Sequence, residues 1–299
     1  MQLLDSPVDK VLFQKQTFFI KRDDFLGPHI SGNKARKLYY LATHEVPELH
    51  TIISYGSVQS NFLSALSWLA RERGWRFDYC VQRVPGFLSQ QAVGNFAMAL
   101  KNGANIISQG NDGENVLKDF ARRRAEDLDG FFIPEGGAHP WAESGIEQLA
   151  REITQWSEQA RIHDLQVFLP SGTGTMALFL QKSLPFPVYT CACVGSGDYL
   201  REQWQVLLPN SNRLPRIIPA PKKFQFAQLY PEYLSIWKEL KAQTEISFDL
   251  LYDPPGWISL LLALKNGELK RELPIMYIHQ GGLLGNKTML KRYKRNGFA

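Results

Sequence analysis

A regular alternation of short apolar runs with helix-like segments restricts the fold of this chain more than any other feature. The apolar runs have the length and the β-branched and aromatic content of buried strands, and longer segments with helical spacing of apolar residues follow them. Five such pairs are TFFI with NKARKLYYLATHE, TIISYG with NFLSALSWLARERG, RFDYCVQ with QQAVGNFAMALKNG, LQVFLPSG with TMALFLQKS, and VYTCACVG with GDYLREQWQVLL. This order predicts an α/β fold, with parallel sheets covered by helices on both faces and functional residues at the carboxyl ends of the strands.

Length and composition limit the class of protein. The chain has 299 residues, 44% of them hydrophobic and 21% charged, enough for one large or two ordinary domains. Its start lacks the pattern of an export signal, and no apolar run approaches the ~20 residues that cross a bilayer. We therefore expect a soluble, cytoplasmic protein without a membrane partner.

The cysteines and the net charge argue against two further classes. Cys80, Cys191 and Cys193 are an odd number, and the last two are expected to point to opposite faces of a strand, so we expect neither a disulfide framework nor a metal site. Much of the net charge of +5 lies in the tail KTMLKRYKRNGFA. This tail lacks the interleaved aromatics that stack on bases, which favours a solvated helix end over a nucleic-acid partner.

The stretch SGNKARKL, residues 31–38, places a lysine at the start of a predicted helix. A cation there meets the positive end of the helix dipole, which lowers the pKa of Lys34 and favours a nucleophilic amine. Lys37, one turn later, can share an anionic ligand with it and can stay charged beside that ligand. The alternative is an ordinary helix start with Asn33 as the cap and both lysines in solvent.

Three other stretches carry polar groups at predicted strand or helix ends. Ser57, Gln59, Ser60 and Asn61 precede or begin a helix and could form a cradle for a carboxylate, although such residues also cap helices. Tyr252-Asp253 could stack on and protonate a heteroaromatic ring, or form a turn before a helix.

The remaining stretch has the layout of a phosphate nest between a strand and a helix. Its residues are Ser171, Gly172, Thr173, Gly174 and Thr175. It is neither a P-loop nor a dinucleotide fingerprint, because it lacks the Gly-Lys-Ser/Thr ending and Ala177 stands at the third glycine position. The nest favours a small phosphorylated cofactor over a nucleotide, with a tight structural turn as the alternative.

A helix-start lysine, a phosphate nest, a carboxylate cradle and a Tyr-Asp pair are the parts that an enzyme using pyridoxal 5'-phosphate needs. The motifs SGNKARKL, GSVQSN, PEGG, SGTGT, DLLYD and HQGG, in this order, resemble the 1-aminocyclopropane-1-carboxylate deaminase and D-cysteine desulfhydrase family. That family belongs to the tryptophan synthase β-like, fold type II pyridoxal-phosphate enzymes. The resemblance spans about residues 17–285, with Ser31 in place of a glycine in the most specific motif.

This resemblance implies roles for the residues that bind the cofactor. Lys34 would form the internal aldimine, Lys37 and residues 171–175 would bind the phosphate, and Tyr252 would lie against the ring as a catalytic or stacking phenol. Asp253 would stand near the ring nitrogen, where the deaminases carry a glutamate.

The resemblance also implies roles at the substrate. Asn61 would bind the phenolic oxygen of the cofactor and contact the substrate. Ser60 would face the substrate carboxylate or act as the second catalytic group. Gln59 and Gln280 would complete the substrate site.

The architecture implied is two three-layer αβα domains with the cofactor in the cleft between them. Residues 1–41 and 151–299 would form the large cofactor-binding domain, and residues 42–150 a smaller inserted one. A homodimer is the usual state of such enzymes.

Departures from the family leave the substrate open. Phe62 stands where the deaminases place a glutamine that holds the substrate carboxylate, Gln280 matches neither branch, and Pro254-Pro255 replaces Gly-Lys. We expect a lyase or hydrolase acting on a small amino acid, most simply a deaminase that forms 2-oxobutanoate and ammonia. The alternatives are D-cysteine desulfhydration or another β-elimination, a non-catalytic pyridoxal-phosphate binder, and a fold without cofactor.

Overall fold

The computed structural model describes residues 5–27, 29–110, 113–222 and 224–298, which form ten strands in two sheets. The strands are β1 (Val8–Phe13), β2 (Gln16–Lys21), β3 (Thr51–Tyr55), β4 (Arg76–Val81), β5 (Asn105–Ser108), β6 (Phe131–Phe132), β7 (Gln166–Ser171), β8 (Val188–Ala192), β9 (Arg216–Ile217) and β10 (Ile275–Ile278). The first sheet has the order β1-β2-β10-β7-β8-β9, and only its β1–β2 hairpin is antiparallel. The second sheet, β5-β4-β3-β6, is entirely parallel.

Helices follow most of the strands. They are α1 (Gly32–Thr43), α2 (Asn61–Arg73), α3 (Gly86–Gln90), α4 (Gly94–Lys101), α5 (Glu114–Asp127), α6 (Ala142–Gln159), α7 (Thr175–Ser183), α8 (Gly197–Leu207), α9 (Pro231–Thr244), α10 (Asp253–Lys265) and α11 (Asn286–Arg295). Within the described part of the chain, none of them is both long and apolar enough to cross a membrane.

Both faces of each sheet are covered. Helices α1, α2 and α4 pack on one face of the second sheet, and α5 packs on the other through residues such as Leu117. On the first sheet, α9 and α10 enclose one core around Trp257, and α6 and α7 enclose another around Phe179. The two sheets therefore form three-layer αβα arrangements, which confirms the predicted fold class.

A buried ion network fixes α1 to its surroundings. The Arg36 guanidinium donates to both oxygens of Asp23, at 2.8 and 3.0 Å, and to both oxygens of Glu152 on α6, at 2.6 and 2.7 Å. Lys21 at the end of β2 lies 2.6 Å from the same Glu152 carboxylate. These charge-assisted hydrogen bonds fix the position of α1 relative to β2 and α6.

Cys191 and Cys193 lie on the same face of the chain at the end of β8, so the expectation of opposite faces is wrong. Their sulfur atoms are 3.9 Å apart, because alternate residues of a strand share a face. Both are free thiols, as is Cys80.

Candidate active site

The carboxyl ends of the two sheets face each other across a cleft of about 480 Å³. The loops after β7, β8 and β10 line it from the first sheet, and the loops after β3, β4 and β6 line it from the second, as expected of parallel α/β sheets. The predicted site residues that line the cleft are Lys34, Lys37, Ser60, Asn61, Ser171, Gly172, Thr173, Gly174, Tyr252, Asp253 and Gln280. The structure thus brings together motifs that are more than two hundred residues apart in the sequence.

Lys34 is the third residue of α1, and its side chain lines the cleft. Burial lowers the pKa of its amine from 10.5 to about 8, and the negative charges of Glu135 and Asp249 oppose that change. Burial is therefore the largest cause of the lowered pKa. At pH 7 a pKa of about 8 leaves roughly one amine in ten neutral, against roughly one in three thousand for an ordinary lysine.

The start of α1 differs from the alternative interpretation, in which Asn33 is the cap. The helix begins at Gly32 with Ser31 in the N-cap position, and within the described part of the chain the Ser31 side chain makes no capping hydrogen bond. Gly32 has a φ of +60°, and a Cβ on it would lie 1.7 Å from the Gln280 carbonyl oxygen. Only glycine allows this close approach, which explains the glycine of the motif.

Gln280 joins three elements at this point. Its Oε1 accepts from Asn33 Nδ2 at 3.0 Å, its carbonyl accepts from the Asn33 amide at 3.2 Å, and its Nε2 donates to the Pro170 carbonyl at 2.5 Å. The side chain therefore holds the start of α1 against the end of β7. Its contact with a substrate stays a prediction.

Lys37 reaches the phosphate nest from α1. Its Nζ donates to the Gly136 carbonyl at 3.0 Å and to Thr173 Oγ1 at 3.3 Å. Burial, and then the charge of Lys34, hold the pKa of this amine well below its ordinary value. An anion beside it would stabilise the ammonium, so the expectation that Lys37 stays charged for the phosphate stays a prediction.

The nest itself has the predicted form. Strand β7 ends at Ser171, α7 begins at Thr175, and the Thr173 and Thr175 hydroxyls lie 2.9 Å apart. The first amides of α7 have no partner within the helix, so they are available to an anion. Thr175 is fully buried behind the lining, and the Ser171 hydroxyl accepts from Thr190 at 2.7 Å. Gly172 and Thr173, which are partly exposed, thus form the accessible part of the nest.

Tyr252 lies over this nest. A Cβ on Gly172 would lie 3.4 Å from the Tyr252 ring. Because glycine has no Cβ, the space between the nest and the ring stays open. Phe226, from the proline-rich connection between α8 and α9, contacts the same ring with centroids 5.3 Å apart. Pro254 and Pro255 form the first turn of α10, where proline is well tolerated.

The two acids near Tyr252 have different partners. Asp253 lines the cleft, but its Oδ1 accepts from the Tyr277 hydroxyl at 2.6 Å and its Oδ2 accepts from the Asp249 amide at 2.7 Å. Asp249 Oδ1 accepts from the amides of Leu251 and Tyr252, at 2.8 and 2.5 Å. Asp249 Oδ2 is buried and has no hydrogen-bond partner among the residues that the structure describes. Burial raises the pKa of Asp249 to about 6, against several amide hydrogen bonds that lower it.

On the opposite wall, the structure separates the residues of the predicted cradle. Ser60 and Asn61 line the cleft at the start of α2, and Asn61 Oδ1 accepts from Asn95 at 2.8 Å. Gln59 turns away, since its side chain bonds the Val93 carbonyl and the Asn95 amide, at 3.0 and 3.1 Å. The structure therefore does not bring the Gln59 side chain into the cleft.

Phe62 also lies outside the cleft. Its ring is fully buried, its centroid is 6.0 Å from the Lys34 amine, and it fills the space that a Cβ on Gly137 would need. The ring lies beneath the lysines of α1, not in the position of a substrate ligand.

Several residues that line the cleft were not predicted from the sequence. Asp249, Glu135, Arg83, Tyr199 and Phe226 all line the cleft. A signal existed only for Glu135 and Asp249, which stand inside the motifs PEGG and DLLYD without having been assigned a role.

These residues fit pyridoxal phosphate. The cleft holds an amine that is readily neutral, a buried lysine beside helix-start amides, and a buried carboxylate oxygen without a partner in the described chain. Amine, phosphate nest and carboxylate match the aldehyde, the phosphate and the ring nitrogen of that cofactor.

Comparisons with known proteins agree with this chemistry. Residues 3–182 match the family model described as "Pyridoxal-phosphate dependent enzyme". A bifunctional mitochondrial D-cysteine desulfhydrase/1-aminocyclopropane-1-carboxylate deaminase of Arabidopsis thaliana is 28% identical over 295 residues, which cover 89% of this chain and 72% of the relative. D-cysteine desulfhydrase of Serratia proteamaculans is 27% identical over 289 residues, with 88% and 86% covered.

Solved structures show the same fold. An ACC deaminase homologue superposes with a TM-score of 0.81 at 21% sequence identity, covering 96% of this chain and 94% of the other. Diaminopropionate ammonia lyase of Escherichia coli superposes with a TM-score of 0.67 at 13% identity, covering 99% and 87%. These likenesses confirm the tryptophan synthase β-like architecture.

Proposed function

Because the chain belongs to the family of pyridoxal-phosphate dependent enzymes, we propose that it is a lyase that deaminates a small amino acid. The first candidate substrate is 1-aminocyclopropane-1-carboxylate, with 2-oxobutanoate and ammonia as products. The alternative is D-cysteine desulfhydration or another β-elimination on a D-amino acid. The names of the relatives favour lyase chemistry of these two kinds over a hydrolase.

The observation that carries this proposal is the shared cleft of Lys34 and the phosphate nest. A lysine amine with a pKa of about 8 stands on the same short helix as Lys37, whose Nζ contacts Thr173 of the nest. One helix can thus hold both the reactive end and the phosphate end of one ligand, in a fixed relative position.

When bound, pyridoxal phosphate supplies an aldehyde that reacts with amines and a ring that withdraws electrons. Around it, the Lys34 amine would bond the aldehyde and then move a proton at the substrate α-carbon. Lys37 and the amides after Gly172 would bind the phosphate. Tyr252 would cover one side of the ring and exclude water.

The substrate would meet the other wall of the cleft. Ser60 and Asn61 at the start of α2 would hold its carboxylate, aided by the unpaired amides of that helix. Asp249 is better suited than Asp253 to face a protonated ring nitrogen, because both oxygens of Asp253 already accept hydrogen bonds from the protein. An acid in that position favours electron withdrawal by the ring, as deamination requires.

We further propose the division into residues 1–41 with 151–299 and residues 42–150, a homodimer, and a cytoplasmic location. The separate sheets support the division, although α1 and α6 run across both boundaries. Light scattering of the purified protein tests the dimer. Cell fractionation tests the location, for which the Arabidopsis relative is a mitochondrial counterexample.

Product assays separate the candidate reactions. The purified protein with pyridoxal phosphate would be given 1-aminocyclopropane-1-carboxylate, D-cysteine or D-serine, and assayed for 2-oxobutanoate, sulfide and pyruvate. We expect 2-oxobutanoate from the first substrate, and no product from Lys34→Ala. Sulfide or pyruvate alone would support the alternative, and no product from any of the three would contradict both.

A further inference from the structure

The buried side chain of Asn95 joins the start of α4 to the start of α2. Its Nδ2 donates to the Gln59 carbonyl at 2.9 Å and to Asn61 Oδ1 at 2.8 Å. The Gln59 side chain closes the same junction, since its Oε1 accepts from the Asn95 amide at 3.1 Å and its Nε2 donates to the Val93 carbonyl at 3.0 Å. Asn95 is only 2% exposed and does not line the cleft, and the proposed function gives it no role.

A backbone carbonyl determines which way both asparagine side chains are turned. An amide side chain has a donor end and an acceptor end of nearly equal shape, so its hydrogen-bond partners decide its orientation. The Gln59 carbonyl can only accept, so Asn95 must turn its Nδ2 toward it. The same Nδ2 then requires the acceptor end of Asn61, which leaves Asn61 Nδ2 as the other end. The orientation of Asn61 is thus fixed by groups that lie outside the cleft.

The donor end of Asn61 lies beside Gly282, on the side of Asp249. A Cβ on Gly282, whose φ is +88°, would lie 2.7 Å from Asn61 Nδ2 and 3.4 Å from Asp249 Oδ2. Asn61 and Asp249 both line the cleft, so this donor and this carboxylate oxygen border one space in it. Among the residues that the structure describes, none accepts a hydrogen bond from Asn61 Nδ2. The donor is therefore available to a ligand.

The orientation of Asn61 decides what kind of ligand atom can bind beside it. With Nδ2 toward the ligand, the side chain donates to an oxygen anion. With Oδ1 toward the ligand, two acceptors would face each other away from water, which is unfavourable. An asparagine without a fixed partner could adopt either orientation, so a contact that excludes one of them before the ligand arrives lowers the free-energy cost of binding.

We propose that Asn95 is a positioning residue that holds the Asn61 side chain with its Nδ2 toward the cleft, so that this position binds an oxygen anion. Gln59 takes part in the same role, because its carbonyl orients Asn95. The proposal rests on the proposed function, since the oxygen anion belongs either to the phenolic group of pyridoxal phosphate or to the carboxylate of the amino acid. The two sources share one chemistry, and ligands that lack one of these groups distinguish them.

Asn95→Asp should turn the Asn61 side chain round, because the introduced carboxylate accepts a hydrogen bond and cannot donate one. Ligand binding to the variant is measured by spectroscopic titration. If the ligand atom is the phenolic oxygen, the Kd for pyridoxal phosphate should rise about tenfold or more. The Kd for 3-deoxypyridoxal 5'-phosphate, which lacks that oxygen, should change less than about threefold.

A second pair of ligands tests the carboxylate as the source of the oxygen anion. In that case Asn95→Asp should leave the Kd for pyridoxal phosphate unchanged. The loaded protein would then be titrated with D-alanine and with ethylamine, which lacks the carboxylate, and the absorption change followed. We expect the Kd for D-alanine to rise about tenfold or more and that for ethylamine to change less than about threefold.

Asn102→Asp is the matched control. Asn102 is a buried C-cap at the other end of α4, and its Nδ2 donates to Ser67 Oγ on α2 at 3.1 Å, but it does not line the cleft. This variant should leave all four Kd values unchanged. Asn95→Ala keeps the proposal testable if the introduced carboxylate prevents folding, because it removes the donor without adding a charge. It should cause a smaller loss with the same ligand preference.

A measurement on the cofactor-free protein tests the contact itself. In protein with isotope-labelled asparagine, the NMR signal of the Asn61 side-chain carbonyl carbon reports on the hydrogen bond at Oδ1, and Asn61→Ser identifies that signal. Asn95→Ala should shift the signal, because Oδ1 loses its donor, and Asn102→Ala should not. A signal that Asn95→Ala leaves in place overturns the proposal, whatever the protein catalyses.

The outcomes separate this proposal from the proposed function. Asn95 acts through Asn61, so adding Asn95→Ala to Asn61→Ala should raise no Kd further, and a second, independent loss refutes the positioning role. Equal losses for a ligand and its truncated partner, or no loss for any ligand, refute it as well. If the wild-type protein binds no pyridoxal phosphate, the proposed function fails, and the NMR measurement alone decides on the orientation of Asn61.

Discussion

The two faces of helix α1 carry cations in opposite surroundings. Arg36 points away from the cleft, and burial is outweighed by Asp23 and Glu152, which raise its pKa above the ordinary value. Lys34 and Lys37 point into the cleft, and burial lowers the pKa of both amines. The cation on one face has its charge partners within the folded chain. The amines on the other face need an anionic or carbonyl ligand.

This difference explains why one short motif holds two kinds of basic residue. A guanidinium stays charged at any pH and binds two carboxylates at once, which suits a permanent support. An ammonium loses its proton more readily when it is buried, which suits a group that must react. The support lies two residues after Lys34 and so fixes the position of the reactive amine.

The same contrast appears in the acids of the cleft. Asp253 is enclosed by hydrogen bonds from Tyr277 and from the Asp249 amide, as Arg36 is enclosed by its carboxylates. Asp249 keeps one buried oxygen without a partner in the described chain. Such an oxygen is costly in the folded protein unless it is protonated or meets a ligand.

Replacing Arg36 removes the buried ion network that supports α1 and should have the largest effect on stability. Arg36→Met leaves Asp23 and Glu152 buried with fewer partners, so the free energy of unfolding should fall by about 3–5 kcal/mol. Urea denaturation measures it. Arg71→Met, which removes an exposed ion pair with Glu72, should cost less than ~1 kcal/mol. Equal losses in the two variants would contradict the supporting role.

Asp249→Asn sharpens the comparison between the acids through pH. The folded protein binds the Asp249 proton more tightly than the unfolded chain does, with a pKa of about 6 against 3.8. Its contribution to stability is therefore full below about pH 4 and is lost as pH rises through about 6.

In the cofactor-free protein, the free energy of unfolding of Asp249→Asn should rise by about 2–3 kcal/mol relative to that of wild type as pH increases from 4 to 7. Thermal unfolding across this range, with the exposed Asp198→Asn as control, measures the gain. Curves that run parallel for wild type and Asp249→Asn would show that Asp249 is ionised without penalty.

Lys37→Met removes the amine of the cleft-facing side of α1 that contacts the phosphate nest. The variant loses a charge-assisted contact worth about 1.5–3 kcal/mol, so the Kd for pyridoxal phosphate should rise about tenfold to a hundredfold. Spectroscopic titration measures this constant. Titration with pyridoxal, which lacks the phosphate, is the matched control and should be nearly unaffected. Similar losses for both ligands would place the Lys37 contact elsewhere.

The sequence predicted the site residues that lie at strand and helix ends, but not the side chains whose direction depends on residues distant in the chain. Lys34, the nest after β7 and the start of α2 stand at strand and helix ends, where local pattern determines what the backbone offers. The directions of the Gln59 and Asn33 side chains were mispredicted, because Asn95 and Gln280, distant in sequence, bind them instead. The role of Asp249 depends on which acid Tyr277 reaches, and no local pattern contains that information.

Identifying the lysine that bonds pyridoxal phosphate is the most direct test of the proposed role of Lys34. Protein loaded with pyridoxal phosphate should show an absorption band near ~410 nm that borohydride removes, since only an imine to an amine behaves in this way. Mass spectrometry of the digested, reduced protein then locates the modified residue. The account predicts modification at Lys34, and no band in Lys34→Ala. Modification at Lys37 or at a surface lysine, or a band that survives in Lys34→Ala, would contradict it.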